Sequence, residues 1–374
     1  MPRLPLLCCC IVGLCWSIHV HAAEPDAATL IARYGLEEAA QPVRERAGWR
    51  KPRRVLIDAA GPGRFSAIDP EALAGFKAAA PGVEIVIANG DPVQASNVDA
   101  YIGVCSPWVL DAGKSIRWIQ TLNTGVEDCV SIPALRERNV LLTNMQRTGG
   151  PVMAEHVMAM VLAFTRGLDV FIGAQAQGRW MRGNVPFGRL QVVDGKTMLV
   201  VGLGGIGTAV AQRAHAMGMR VIATRATSRN GPEFVQYVGL PDELPQLAAQ
   251  ADFIVMTAPL TVQTTRLFDA AFFARMKPSA FFINVARGGS VVTEDLVSAL
   301  RERRIAGAGL DVTEPEPLPS GHPLWRMPNV IITPHVSNDA NIDVDVRVAV
   351  ATENLRRYVA GEKMLSVVDV ARGY

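Results

Sequence analysis

Several positions in the second half of the sequence combine residue types that bind anions and move protons. Arg287, the carboxylates Asp311 and Glu316, and His335 each come a few residues after an apolar, strand-like segment. Parallel strands of an open α/β sheet bring such ends to one edge, where these sheets bind ligands. A guanidinium holds anions, and an imidazole exchanges protons near neutral pH. We therefore expect an arginine, a carboxylate and a histidine to converge on one site.

A glycine-rich turn earlier in the chain predicts a dinucleotide site. The motif Gly202-x-Gly204-x-x-Gly207 follows an apolar segment and opens a helical pattern, the context that makes it informative. Gly202 permits a tight turn, Gly204 lets backbone N–H groups approach a pyrophosphate, and Gly207 allows close helix–sheet packing. The alternative is a glycine turn in another α/β fold. The residues assigned to this cofactor site are Gly202, Gly204, Gly205, Ile206 and Gly207.

The elements that must position these residues follow from alternating apolar and helical segments, which indicate parallel sheets. A first group of strands is predicted at 54–58, 83–88, 100–104, 118–122 and 140–143. A second group of six, the number in a full dinucleotide-binding sheet, is predicted at 197–201, 220–224, 252–256, 280–284, 305–310 and 330–333. A final helix, roughly 344–360, is expected to return to the first group.

Residues 151–166 are predicted to form one long helix that is apolar on nearly every side. Pro151 suits the first turn of a helix. A helix of this kind is buried on several sides, so we expect it between two domains or two subunits. Glu155 and His156, two polar residues on this helix, are interpreted as structural.

Length, composition and the N-terminus narrow the class of protein. The chain has 374 residues, of which 49% are hydrophobic and 19% charged, which suggests two domains with ample cores. A net charge of +2 without a basic block does not favour a nucleic-acid partner. Residues 1–23 combine Arg3, an apolar run that is short for a membrane span, and Ala22-Ala23, the pattern of a secretory signal peptide. The alternative is a misassigned start codon upstream of a cytosolic protein.

The cysteines are concentrated in that first segment, and only Cys105 and Cys129 lie outside it. Two cysteines make no disulfide framework, and no C-x-x-C pattern indicates a metal site. We therefore expect no metal, and we expect each of these cysteines to be a small buried hydrophobic residue.

Taken together, the motifs closely resemble the D-isomer-specific 2-hydroxyacid dehydrogenase family. The resembling segments keep the family order and span about residues 54–345, so their combination is far more specific than any one motif. They are Gly202–Gly207, Pro259–Thr261 with Thr264, Asn284–Gly288, Gly309–Pro317 and Thr333–His335.

The resemblance implies an α/β fold of two doubly wound parallel-sheet domains, a Rossmann cofactor domain inserted in a flavodoxin-like substrate domain. The expected boundaries are 24–150 and 335–374 for the substrate domain and 151–334 for the NAD(P)-binding domain. The resemblance also implies a homodimer, which we expect to form through the apolar helix at 151–166.

The resemblance further implies hydride transfer between a nicotinamide cofactor and a small 2-keto or 2-hydroxy acid of the glyoxylate or hydroxypyruvate type. Arg287 would hold the substrate carboxylate and polarise its carbonyl through a planar fork. His335 would give the carbonyl oxygen a proton in reduction and act as the base in oxidation. Glu316 would bond the other ring nitrogen, orient the imidazole and favour its charged form.

Other site residues are implied by the same resemblance. The loop Asn123–Glu127 resembles the loop that binds the substrate carboxylate, with the backbone N–H groups of Gly125 and Val126 as ligands and residues 102–106 as the other wall. The alternative for this loop is a plain strand–helix turn. Many relatives carry a histidine before the Pro-Leu-Thr segment, where this chain has Thr257-Ala258. Further cofactor contacts are expected from Ala258, Pro259, Ala286 and Asp311, the last bonding the nicotinamide amide or holding the ring pocket.

The segment after the second strand of the cofactor unit favours NADP(H), with NAD(H) possible. NAD-specific folds place an Asp or Glu there to bond the ribose 2′-OH, whereas Thr224–Arg229 contains no acidic residue. Arg225 and Arg229 would attract a 2′-phosphate, and Ser228 could donate a further hydrogen bond. The alternative is an exposed basic loop without a phosphate contact.

Two alternatives concern function and location. The same fold serves as a nucleotide-sensing corepressor scaffold, so a non-catalytic binding protein is the second hypothesis, against which the complete set of Arg287, Glu316 and His335 argues. A formate-dehydrogenase-like activity is a weaker hypothesis, because that relative pairs the histidine with Gln. The signal-peptide pattern indicates the periplasm or secretion, whereas the need for NADPH indicates the cytoplasm.

Overall fold

The strands form where short, continuously apolar segments alternate with helices. In the computed structural model, which describes residues 26–58, 70–88, 91–182, 190–339 and 343–373, most of these strands are buried on both faces. The expected signal segment lies outside the described residues. The first unit comprises α1 (Ala27–Tyr34), β1 (Arg54–Ile57), α2 (Pro70–Ala79), β2 (Glu84–Ile87), β3 (Ala100–Gly103), α3 (Pro107–Ala112), β4 (Trp118–Thr121), α4 (Glu127–Val130), α5 (Pro133–Glu137) and β5 (Leu141–Thr143).

The second unit follows the same alternation and ends in a helix that returns to the first. It comprises α6 (Gly150–Arg166), α7 (Leu168–Ala176), β6 (Thr197–Val201), α8 (Gly205–Ala216), β7 (Arg220–Thr224), β8 (Tyr237–Gly239), α9 (Leu244–Ala248), β9 (Phe253–Met256), α10 (Ala270–Phe273), β10 (Phe281–Asn284), α11 (Thr293–Arg301), β11 (Gly307–Leu310), β12 (Val330–Ile332) and α12 (Asp343–Ala360).

Both sheets are parallel, and their strand orders confirm the expected fold. The first sheet runs β2-β1-β3-β4-β5, the flavodoxin-like order. The second runs β12-β11-β10-β9-β6-β7-β8, which is the Rossmann order with one further edge strand. The expected count of six strands was wrong because β8 was missed. This edge strand has three residues and ends in a glycine, so it has neither an apolar run nor an alternating hydrophobic pattern.

The helix α12 packs on the first sheet, as the sequence predicted. Tyr358 stacks on Trp118 of β4 with ring centroids 4.7 Å apart. Asn354 donates from Nδ2 to Oε1 of Gln120 at 2.7 Å, in the buried layer between helix and sheet. The first unit is therefore built from both ends of the described chain, with the second unit inserted between them.

The apolar faces of α6 are used inside the chain. Val157, Val161 and Phe164 are fully buried, and Phe164 stacks on Phe281 of β10 at 4.7 Å. Most of this helix is thus buried inside the chain, as expected of a helix that is apolar on nearly every side. Among the helices of the described residues, no single one is long and apolar enough to cross a membrane; the bent pair α6–α7 reaches that length and hydropathy only together.

Cys105 and Cys129 are both buried, but they are joined by a disulfide, so the expectation of two separate hydrophobic residues was wrong. The reason lies in the sheet. Cys105 comes two residues after β3 and Cys129 lies in the helix that follows β4, and β3 and β4 are neighbours. Their loops therefore leave the sheet at the same edge, and the two Cα atoms lie 5.2 Å apart.

Candidate active site

The carboxyl ends of the parallel strands gather the candidate residues along one edge of each sheet. In the first unit, this edge carries residues 104–106 after β3 and residues 122–126 after β4. In the second unit, it carries the glycine turn after β6, Arg225 after β7, Ala258 and Pro259 after β9, Ala286 and Arg287 after β10, Asp311 and Glu316 after β11, and His335 after β12.

The glycine turn has the shape that its spacing predicts. Gly202 has φ 101°, in the region that favours glycine, and a Cβ there would lie 2.6 Å from the backbone nitrogen of Ala258. A Cβ at Gly207 would overlap the carbonyl oxygen of Gly202. Thr257 donates from Oγ1 to that same oxygen at 2.8 Å, so this residue fixes the turn.

The start of α8 forms a cradle that fits a pyrophosphate. Gly204 is the N-cap of this helix, and no described side chain caps it. A Cβ at Gly204 would meet no described atom within 4 Å, so the turn faces open space. The N–H groups of Gly205, Ile206 and Gly207 are those of the first turn, which have no partner within the helix. With the positive end of the helix dipole, they are suited to an anion.

The loop that carries Arg287 is held by a buried asparagine. Asn284 donates from Nδ2 to the carbonyl oxygen of Arg287 at 2.9 Å and accepts from the N–H of Ala286 at 3.0 Å. Ser290 donates to the same Arg287 carbonyl at 2.8 Å. The Arg287 side chain then folds back, and Nη1 donates to the carbonyl oxygen of Ala286 at 2.7 Å. The side chains of Asn284 and Ser290 thus hold the backbone at Ala286 and Arg287 in place.

The guanidinium of Arg287 reaches across to the first unit. Its Nε lies 3.0 Å from Oε1 of Glu127, and Nη2 donates to Oε2 of the same carboxylate at 3.3 Å. A Cβ at Gly125 would overlap the guanidinium, so only a glycine lets Arg287 approach this loop. The structure therefore brings Arg287 against the loop at Gly125 and adds Glu127 as its partner.

His335 and Glu316 form a close pair. Nδ1 of His335 lies 2.6 Å from Oε1 of Glu316. The His335 backbone has φ 56°, a left-handed conformation that is strained for histidine. The His335 N–H donates to the carbonyl oxygen of Asp311 at 2.8 Å, which holds that conformation. Within the described residues, Nε2 has no hydrogen-bond partner, and it is the nitrogen left for a substrate.

The Asp311 carboxylate holds the segment around His335. It accepts from Thr333 Oγ1 at 2.6 Å and from the backbone N–H groups of Val336 and Ser337 at 2.9 and 3.0 Å. Burial alone would raise the pKa of this carboxyl, but the hydrogen bonds from Ser337, Thr333 and Val336 outweigh burial and lower the pKa below its usual value. Asp311 is thus an anionic anchor for the segment that carries His335.

The polar residues of α6 have the structural roles expected of them. Nε2 of His156 lies 3.0 Å from Thr333 Oγ1, whose proton goes to Asp311, so the imidazole donates to Thr333. Glu155 pairs with Nη2 of Arg213 at 3.0 Å. His156 therefore connects this helix to the segment that carries His335.

Comparisons with known proteins agree with this geometry. The profile of the family described as D-isomer specific 2-hydroxyacid dehydrogenase, NAD binding domain, matches residues 158–337. Glyoxylate reductase/hydroxypyruvate reductase of Mus musculus is 33% identical over 255 residues, 68% of this chain and 77% of that protein. The chain belongs to the D-isomer-specific 2-hydroxyacid dehydrogenase family.

Solved structures of this dehydrogenase family share the whole fold. A member from Xanthobacter autotrophicus Py2, in complex with NADPH and MES, has a TM-score of 0.72 and 32% identity, over 87% of this chain and all (100%) of that one. An NADPH-dependent glyoxylate/hydroxypyruvate reductase from Sinorhizobium meliloti, in complex with NADP and sulfate, has a TM-score of 0.71 and 28% identity, over 86% of this chain and 99% of that one. The expectation of an NAD(P)-dependent dehydrogenase, rather than a non-catalytic binding protein, is thereby confirmed.

The two arginines after β7 of this dehydrogenase are not equivalent. Arg225 is half-buried, and its Nη1 donates to the carbonyl oxygen of Asn230 at 2.9 Å. Arg229 turns to the far edge of the sheet, where Nη2 lies 2.7 Å from Oε1 of Glu243 and Nη1 donates to the Tyr237 hydroxyl at 2.9 Å. The hydrogen bond with Arg229 lowers the pKa of Glu243 to about 2. Arg229 is thus paired with Glu243 in this structure, whereas the sequence predicts a contact of this side chain with the 2′-phosphate.

Sequence reasoning missed two features of the site. The role of Glu127 was missed because its partner, Arg287, lies 160 positions away. The disulfide was missed because the number of cysteines was considered, whereas their positions after neighbouring strands were not. Cys105 and Cys129 each follow one of two adjacent predicted strands, and that signal was available.

Proposed function

We propose that this dehydrogenase reduces a small 2-keto acid of the glyoxylate or hydroxypyruvate class with NADPH. The observation that carries the proposal is the pairing of His335 with Glu316 at 2.6 Å, on the strand edge that also holds Arg287 against Gly125. A proton donor and an anion-binding fork beside a pyrophosphate cradle are what this reaction requires. The names of the mouse and Sinorhizobium relatives support the substrate class.

Arg287 is the group we assign to the substrate's carboxylate and carbonyl. A guanidinium has five N–H groups, and the two hydrogen bonds and the ion pair with Glu127 and Ala286 engage three of them. The two that remain are available to a substrate, together with the backbone N–H groups of Gly125 and Val126. Because Glu127 and Ala286 fix the plane of the guanidinium, little conformational entropy is lost on binding.

His335 is the group we assign to proton transfer. Glu316 accepts from Nδ1, which fixes the ring and directs Nε2 to the carbonyl oxygen of the substrate. NADPH held at the glycine cradle of α8 would supply the hydride. His335 gives its Nε2 proton to that oxygen as the hydroxyl forms, and Glu316 holds the imidazole in place for the transfer. In the reverse direction, His335 takes the proton back.

Arg225 is the group we assign to the 2′-phosphate of NADPH. It comes directly after β7, no acidic residue lies between Thr224 and Arg229, and the solved relatives bound to NADPH or NADP support the choice. Ser228 is half-buried in the same loop and is a second donor. A charge-assisted hydrogen bond contributes about 1.5–3 kcal/mol, enough for roughly tenfold discrimination.

The test is NADPH and NADH oxidation with a panel of 2-keto acids by wild type and two variants. We expect wild type to turn over glyoxylate or hydroxypyruvate and to prefer NADPH. Arg225→Asp should lower the NADPH preference about tenfold or more. Arg229→Ala is the matched control and should leave the cofactor ratio unchanged, because Glu243 already holds that guanidinium. Inactivity with every keto acid would refute the reaction, and an unchanged ratio in Arg225→Asp would refute the cofactor assignment.

We also propose that residues 1–23 are a signal peptide that is removed on export. The pattern of these residues supports it, and a buried disulfide is typical of oxidising compartments. N-terminal sequencing of the natively expressed protein tests the proposal. A first residue near Glu24 is expected, and an intact Met1 in the mature protein would contradict it.

A further inference from the structure

The disulfide between Cys105 and Cys129 lies between the two loops of the first unit that border the candidate active site. Cys105 belongs to the loop after β3, and Cys129 lies in α4, directly after the loop that carries Gly125 and Val126. Both cysteines are buried, with 8% and 2% of their surface exposed. The bond thus ties the loop after β3 to the loop that packs against Arg287, beneath the surface of the protein.

Besides the disulfide, the two loops are joined by apolar packing in the cluster that contains Cys105, Val126 and Cys129, and by a backbone hydrogen bond. The N–H of Leu122 donates to the carbonyl oxygen of Gly103 at 3.3 Å, and this bond lies at the foot of the loops. Beyond it, α4 has only four residues. A helix this short does not sustain itself and needs tertiary support. The disulfide provides that support at the third residue of α4, Cys129.

The position of α4 matters because its first residue is the partner of Arg287. Glu127 lies two positions before Cys129 and contacts the guanidinium at 3.0 and 3.3 Å. Gly125 lies two positions earlier still, where Arg287 packs against the backbone. A shift of α4 therefore moves the backbone donors and the guanidinium together.

We infer that the Cys105–Cys129 disulfide positions the carboxylate-binding groups of the substrate site, so that the affinity for the 2-keto acid depends on this bond. The inference rests on the proposed function, since it names the groups that bind the substrate. Cys105 and Cys129 are positioning residues that touch neither substrate nor cofactor. The glycine cradle and the His335–Glu316 pair belong to the second unit and do not depend on the bond.

Loss of the bond is a two-electron reduction. A dithiol such as dithiothreitol supplies two electrons and two protons and is oxidised to its cyclic disulfide. The Sγ–Sγ bond of the protein breaks, two thiols form, and no other covalent bond changes. Peptide mapping without reductant identifies the linked pair, and this also separates it from the four cysteines of residues 1–23.

The experiment compares wild type, the double variant Cys105→Ala/Cys129→Ala, and Leu135→Ala. The last variant keeps the disulfide but opens a cavity in the hydrophobic cluster that contains both cysteines. We expect the double variant to raise KM for the keto acid about fivefold or more, with kcat changed less than about twofold and the Kd of NADPH unchanged. Dithiothreitol should reproduce this rise in wild type and have no effect on the double variant. Leu135→Ala should lower Tm and leave KM unchanged.

Three results would overturn the inference: an unchanged KM in the double variant, an unchanged KM in reduced wild type, or an equal rise of KM in Leu135→Ala. If wild type reduces no 2-keto acid, the proposed function fails separately. In that case, hydrogen exchange tests whether the disulfide positions the two loops. Residues 103–106 and 123–130 should exchange faster in the double variant than in wild type and Leu135→Ala, and equal rates in all three would refute a positioning role.

Discussion

At the scale of the residue, each side chain to which we assign a role in the reaction is held by a neighbouring group. Arg287 is held by Glu127, and His335 by Glu316 and by the backbone bond to Asp311. The sequence predicted that these candidate residues lie along one edge of the sheets, because their types and their places after strands are local signals. It did not predict Glu127 as a partner, because an ion pair between two units depends on how those units meet.

Asp311 gives a prediction about pH. In Asp311→Asn, an amide NH2 faces the donors Thr333, Val336 and Ser337, so we expect the variant to be less stable than wild type by about 1–3 kcal/mol at pH 7. The folded-state pKa of Asp311 is lowered, so its contribution is present above the unfolded pKa of about 3.9 and is lost as pH falls through the folded value.

Urea unfolding of wild type and Asp311→Asn at pH 7 and near pH 3 measures this effect. The difference in the free energy of unfolding should shrink at the lower pH. A gap that stays constant between the two pH values would mean that the charge of Asp311 does not stabilise the His335 segment.

At the scale of the element, apolar runs and glycine spacing predicted almost every strand and the long helices α6 and α12. The signal is strong where a strand is buried on both faces, as in β6, whose five residues are all buried. It fails at β8, because an edge strand of three residues has no pattern to detect. An apolar helix such as α6 has the same sequence pattern whether it packs on its own chain or on another, so the pattern alone does not identify an interface.

The glycine turn before α8 yields a pair of contrasting variants. Gly207→Ala places a Cβ against the carbonyl oxygen of Gly202, so we expect a loss of about 1–3 kcal/mol of stability. Gly204→Ala meets no described atom within 4 Å, so it should fold as well as wild type but bind NADPH more weakly, because its Cβ enters the cradle. Thermal unfolding and NADPH titration separate the two effects. Unimpaired NADPH binding by Gly204→Ala would place the pyrophosphate elsewhere.

At the scale of the whole molecule, the two parallel-sheet units and the return of α12 were predictable from the order of the motifs. The sequence was a poorer guide to which apolar side chains stay exposed on the surface. Since α6 is buried, the apolar side chains left on the surface nearby are those of α7 and the segments beside it. They are Leu168 (46% exposed), Ile172 (63%), Trp180 (88%), Leu190 (44%) and Val192 (67%).

We propose that a homodimer forms through this α7 surface, because a second copy would cover an apolar area that a monomer rarely leaves exposed. Ile172→Glu should shift the protein to monomer in sedimentation at micromolar concentration. Val262→Glu is the matched control, since Val262 is 90% exposed in the loop after β9, and it should leave the dimer intact. A wild type that sediments only as a monomer would contradict the proposal.

The proton donor is the centre of the account, and the activity of His335→Ala tests it most directly. NADPH oxidation with the preferred 2-keto acid and NADPH binding are measured on the same preparation. We predict that turnover falls about 10²–10⁴-fold, the usual worth of general acid catalysis, while the Kd of NADPH stays at the wild-type value because the cradle at α8 is untouched. A purified His335→Ala that keeps most of the wild-type turnover would contradict the account.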